Sequence, residues 1–211
     1  MGRSSDRGAI PPGPQGLGFP RKRMRLPAAL LAIVLCVVSV SATAGLAPAG
    51  YWTRLQAATS IREGHGPVAF VVFFDPNCPY CHHLYEQMQP LLAAHPMSVK
   101  WIPVGILTMS SFGKAAALLR AHDPLAALAA SENGFGPAGG ATAPRRATPP
   151  VAQALRTNEG LLGAGGAQGV PFVVYRATDG RAHTIMGDPP ASALRALLAA
   201  TPKTKRRTAT P

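Results

Sequence analysis

Val68-Ala69-Phe70-Val71-Val72-Phe73-Phe74-Asp75-Pro76-Asn77-Cys78-Pro79-Tyr80-Cys81 is an unbroken apolar run, then a turn, then two cysteines two residues apart. The run is too uniformly apolar for a half-exposed strand, and its valines and phenylalanines suit a central strand buried on both faces. After Pro79 the pattern changes period. Leu84, Met88, Leu91 and Leu92 recur at three- and four-residue spacings up to His95, which predicts a helix over 79–95. The cysteine pair therefore sits at a strand-to-helix junction. A helix N-terminus offers unpaired backbone N–H groups and the positive end of the helix dipole, and both favour a thiolate over a thiol. Proline suits the first helical position because it has no N–H to leave unpaired there and its φ is already helical. These residues imply thiol–disulfide chemistry, with Cys78 as the attacking, more exposed thiolate and Cys81 as the resolving, half-buried thiol. Pro79 and Tyr80 are expected to tune the thiolate.

Cysteine arithmetic supports a reactive pair over a structural one. The chain holds three cysteines. Cys36 lies inside the apolar stretch 26–40, which follows Arg21, Lys22, Arg23 and Arg25 and precedes Ser41-Ala42-Thr43-Ala44. A basic start, a short apolar core and small residues before a cut describe a secretory signal over 1–44, cleaved after Ala44. An uncut inner-membrane anchor facing the periplasm is the alternative reading of this segment. Cleavage removes Cys36 and leaves only Cys78 and Cys81, whose two-residue loop constrains an unfolded chain little. A zinc site needs further soft ligands, and His82 and His83 are the only close candidates, so no metal and no cofactor beyond the dithiol is expected. His82 and His83 read as solvated positions on the first helical turn, with His82 a candidate for tuning the thiol as a local charge or proton carrier. Asp75-Pro76 reads as a turn in preference to a proton acceptor.

The formal charge of +12 invites a nucleic-acid reading, but its distribution excludes one. Six basic residues fall in 1–25 and four in the tail 201–211, which leaves a net charge of +3 over 45–200 with no basic stripe among aromatics. The tail reads as a basic disordered end.

Working outward, 45–66 forms a lead-in, with 50–63 (Tyr51, Trp52, Leu55, Ile61) as a short amphipathic helix ended by Gly64-His65-Gly66-Pro67. Residues 99–107 read as a second strand with a proline-tolerant edge or bulge. Residues 112–133 are an Ala/Leu-rich helical insert broken at Asp123-Pro124, and 134–150 reads as a flexible surface loop with almost nothing to bury. A helix over 151–163 precedes the proline-led strand 169–175. Asp179-Gly180 marks a hairpin turn to the strand 182–186, and 192–200 is a closing helix. A proline opening an otherwise Val/Phe strand is costly, and a cis Val170-Pro171 bond would account for it, placing the Val170 backbone opposite Cys78 as a substrate-pairing edge.

The element order resembles the thioredoxin arrangement: an α/β fold over 67–200 with a central mixed sheet flanked by helices and a helical insert. Phe73 to Cys81 resembles the active-site stretch of the DsbC/DsbG family of periplasmic disulfide isomerases, most of all its DsbG branch, which also carries Cys-Pro-Tyr-Cys. Val104-Gly105-Ile106-Leu107 looks like the strand after that family's first helix, and Thr157-Asn158-Glu159 with Leu161-Leu162-Gly163 looks like the helix before its cis-proline, at which Val170-Pro171 falls. The resemblance implies a thiol:disulfide reductase or isomerase in the periplasm, acting on exported proteins with thiols or disulfides and served by a membrane redox partner. Two departures qualify the likeness. About twenty residues separate Ala44 from the first strand, too few for the family's dimerisation domain, so the catalytic half alone and a monomer are expected. Val170 stands where the isomerases have threonine and is reminiscent of the oxidase DsbA. A DsbA-like disulfide donor and a chaperone-like module for envelope assembly are the competing functions.

Overall fold

The computed structural model of the protein describes residues 43–202; most of the signal-like segment and the tail from Lys203 lie outside them. The apolar run forms β3 (Val68–Phe74), the inner strand of a six-stranded sheet. It pairs in parallel with β4 (Ser98–Pro103) and antiparallel with β5 (Phe172–Arg176). Beyond β5 lie β6 (Ala182–Met186) and then β1 (Thr43–Leu46), both antiparallel; β2 (Ile61–Gly64) closes the other edge against β4. β1 takes in Ala44 and Gly45, the residues on either side of the expected cut.

Alternation along β3 builds two cores, because successive strand side chains point to opposite faces. Phe70, Val72 and Phe74 join one cluster with Leu84, Met88 and Leu91 of α2 (Pro79–Ala94) and Leu194 of α6 (Ala191–Ala199). Val71 and Phe73 join the other with Tyr51 and Leu55 of α1 (Tyr51–Gln56) and Leu162 of α5 (Pro149–Ala164). With both faces covered, β3 is buried from Ala69 onward, as expected of a strand without polar residues. The insert forms two helices, α3 (Ser111–Leu119) and α4 (Pro124–Asn133), and Asp123 caps the second by accepting from the Ala126 amide at 3.0 Å.

Two expectations are corrected. The amphipathic helix read over 50–63 stops at Gln56, where the buried Lys100 ammonium donates to the carbonyls of Leu55 (2.8 Å) and Gln56 (2.7 Å). The chain then extends, pinned where Asn158 Nδ2 donates to Thr59 O at 2.9 Å, and Ile61 enters the core from an edge strand rather than from a helix. The second strand ends at Pro103, short of Leu107. β2 pairs only with Ser98–Trp101, so Pro103 needs no donor on that side. Past it, the amides of Ile106 and Leu107 turn to Asp75 instead of to a neighbouring strand.

Candidate active site

Cys78 is the N-cap of α2, with extended backbone (φ −87°, ψ 113°) and Pro79 at the first helical position. Its sulfur accepts from the Cys81 amide at 3.2 Å, taking the place of a capping oxygen. Both thiols are free. The Val170–Pro171 peptide is cis, and the Val170 carbonyl accepts from the Cys78 thiol at 3.7 Å. The fold thus brings together Cys78, Pro79, Tyr80, Cys81, Val170 and Pro171.

Both cysteines are 2 % exposed, which corrects the expectation of a half-buried Cys81, while Cys78 lies less deep in the protein than Cys81. The Val170 carbonyl lies against the Cys78 sulfur. Electrostatics separates them further. The Cys78 pKa is pulled below its ordinary value, first by the hydrogen bond from the Cys81 thiol and then by the amides of Cys81 and Tyr80, against burial and the charge of Asp75. Burial pushes the Cys81 thiol well up, helped by the thiolate it would have to share space with.

Asp75 is 1 % exposed. Its Oδ1 accepts from the Asn77 amide (2.9 Å) and the Ser111 hydroxyl (2.8 Å), and its Oδ2 from the amides of Ile106 (2.8 Å) and Leu107 (3.0 Å). The Asn77 contact is the turn predicted from Asp-Pro, and the Asp75 carbonyl accepts from the Cys78 amide at 2.9 Å. Asn77 Nδ2 reaches the hydroxyls of Thr108, Ser110 and Ser111. The segment 106–109 is thereby held beside the dithiol, and it exposes Ile106, Leu107 and Met109; Tyr80, 67 % exposed, stands on the helix.

His82 is not a solvated position. Its ring stacks on Phe135 (centroids 4.3 Å, planes 4° apart), and Nδ1 meets the buried Glu132 carboxylate at 2.9 Å, while Glu86 lies 3.7 Å from Nε2. The insert supplies this surface, which the local sequence around His82 does not reveal. Burial raises the Glu132 pKa above its ordinary 4.5, opposed by the bond and charge of His82 and reinforced by Glu86. A carboxyl whose folded pKa is raised contributes stability in full below the unfolded value, and that contribution is lost as pH rises through the folded value. Glu132→Gln, which cannot ionise, is therefore expected to gain on the parent in denaturant midpoint as pH rises from below 4.5. A pH-independent difference between the two would contradict the assignment. His83 meets Asp188 and remains on the surface, and Gln87 Nε2 donates to the same carboxylate at 2.8 Å. Among the described residues, no group of three or more His, Cys, Asp or Glu side chains is placed to hold a metal ion.

Asp75, Asn77, Glu132 and Phe135 are the site residues that sequence reasoning missed or left as a turn. The only signal was a carboxylate directly following seven apolar strand residues, where burial is forced on it.

A dithiol at the start of the helix that follows the central strand, facing a cis-proline loop, is the arrangement of thioredoxin-like proteins, and the chain belongs to that family: the Thioredoxin-like domain model matches residues 55–202. Among curated proteins it is homologous to the thiol:disulfide interchange protein DsbG. It is 33% identical to the Pseudomonas aeruginosa protein over 140 residues, covering 65% of this chain and 54% of that one. To the Escherichia coli K12 protein it is 28% identical over 150 residues, covering 68% and 59%. The chain thus spans little more than half the length of these relatives. In fold it is similar to Proteus mirabilis ScsC in a compact conformation (TM-score 0.59, 20% identity, 74% of this chain and 80% of that one). It is also similar to a thioredoxin-like oxidoreductase from Silicibacter pomeroyi DSS-3 (TM-score 0.58, 22% identity, 72% and 96%).

Proposed function

We propose that the protein is a periplasmic thiol:disulfide oxidoreductase, exported by a cleaved signal peptide, that exchanges disulfides with exported protein substrates as a reductase or isomerase. The observation that carries this reading is the Cys78 sulfur at the start of α2, accepting from the Cys81 amide and facing the Val170 carbonyl. The Cys78 thiolate attacks one sulfur of a substrate disulfide. A bond forms from Cys78 to that sulfur, and the other substrate sulfur leaves as thiolate and takes a proton. Cys81 then loses its proton and attacks the Cys78 sulfur, releasing the second substrate thiol and closing the Cys78–Cys81 disulfide. The substrate gains two electrons and the dithiol loses two; a membrane redox partner returns them. Pro79 leaves the first helical turn free of a competing N–H, Tyr80 supplies an amide to the thiolate, and the His82 amide donates to the Cys78 carbonyl at 3.0 Å. The Val170 backbone receives the substrate segment, and Tyr80, Ile106, Leu107 and Met109 offer it an apolar surface.

The raised thiolate character of Cys78 also supports a second reading, a disulfide donor, because a stabilised reduced form makes an oxidising couple. Equilibration of Cys78–Cys81 against glutathione tests the two. A potential near about −120 mV would make the protein a donor, and a much more negative one supports reductase or isomerase action. In the same samples, alkylation of Cys78 is expected to follow a pH profile with its midpoint below the ordinary thiol value of 9.0. A midpoint at or above that value would remove the physical basis for Cys78 as nucleophile. A chaperone-like module would instead keep full activity in a Cys78→Ala/Cys81→Ala double variant.

A further inference from the structure

Lys114, on α3, is 6 % exposed yet makes no ion pair among the described residues. A buried ammonium without a carboxylate is costly and persists only where other groups solvate it. Here two backbone carbonyls do so: Nζ donates to Ala138 O and Gly140 O, both at 2.7 Å. Those residues belong to the segment 134–150, whose composition suggests nothing to hold. Its far side rests on the turn that leads into Cys78. The Gly140 amide donates to Pro76 O at 2.7 Å. Gly139 has φ +82° and lies so close that a Cβ there would meet Asn77 Cα at 2.6 Å, so only glycine fits both the backbone angle and the space. The start of the same helix grips the turn from the other side, through the Ser110 and Ser111 hydroxyls on Asn77 and Ser111 on Asp75.

We propose that Lys114 is a positioning residue for the dithiol, fixing Pro76-Asn77-Cys78 through the backbone of residues 138–140. The ammonium touches neither sulfur; it holds the loop, the loop holds the turn, and the turn sets where Cys78 caps α2. The thiolate depends on the Cys81 and Tyr80 amides being aimed at the sulfur, so a looser turn weakens that aim. This inference rests on Cys78 being the nucleophile.

The test compares the full chain with Lys114→Met, Lys114→Arg and Gly139→Ala, following the pH profile of Cys78 alkylation and the melting of the reduced protein. Lys114→Met and Gly139→Ala are each expected to move the Cys78 profile to higher pH and slow alkylation at mildly acidic pH by about threefold or more, with Lys114→Arg restoring most of the loss. Should Lys114→Met fail to fold, Gly139→Ala decides, since it disturbs the same contact from the loop side. Lower melting with an unchanged alkylation profile in both would make the clamp merely structural and overturn the proposal. Alkylation of Cys81 before Cys78 in the parent would instead sink the nucleophile assignment, and it is read before any variant is made.

Discussion

Cys78→Ser is expected to reduce disulfide exchange to the uncatalysed rate, while Cys81→Ala still attacks substrates and accumulates stable mixed disulfides through Cys78. The asymmetry follows from the site. Only the Cys78 sulfur has a lowered pKa, and only it sits where helix amides stabilise charge, so a hydroxyl in its place gives no anion to attack with. Cys81 is buried and held protonated until the mixed disulfide forms. Removing it leaves the first step intact and deletes the second. Non-reducing electrophoresis of Cys81→Ala with exported protein substrates reads the trapped species, and turnover of a model disulfide reads the loss in Cys78→Ser. Full turnover in Cys78→Ser, or trapping through Cys81 in that variant, would reverse the roles.

The largest loss of stability is expected for Asp75→Ala. Four donors converge on this buried carboxylate, three of them backbone amides that have no other partner in the turn and the 106–107 segment. Removing the acceptor leaves them unpaired in a water-poor site. A buried unsatisfied donor costs about 1–3 kcal/mol, and partial access of water to the 106–107 segment offsets some of it, so a total loss of roughly 3–5 kcal/mol is expected. Denaturant midpoints of the reduced protein measure this. Asp75→Asn keeps the side-chain oxygen on one pair of donors and turns an N–H toward the other, so it should fall between the parent and alanine. A loss under about 1 kcal/mol for Asp75→Ala would show that water replaces the carboxylate freely. Because its charge also opposes the Cys78 thiolate, Asp75→Asn separates that electrostatic effect from the turn's geometry in the alkylation profile.

How much of this was legible in the chain depends on the distance over which each feature is encoded. The central strand, the dithiol helix, the break at Asp123-Pro124 and the hairpin at Asp179-Gly180 rest on periodicity, capping and turn chemistry within a few residues, and each lies where those signals put it. The cis Val170–Pro171 bond was legible because proline at a strand start is costly otherwise. The errors came where a distant group overrode the local pattern. Asn158 holds Thr59 and starts an edge strand inside what reads as a helix, and Asp75 draws Ile106 and Leu107 out of what reads as a strand.

The amino-acid order alone determined that a thiol pair caps a helix after a buried strand, and hence which chemistry the protein can do, because strand period, helix period and N-cap are short-range properties of the backbone. Only the tertiary structure decided what surrounds that pair. His82 meets Glu132 across 50 residues and Asp75 meets Ser111 across 36. Contacts of that separation leave no periodic trace in sequence. They arise from how the insert packs beside the dithiol helix, which sets what holds the turn before Cys78 and what covers His82.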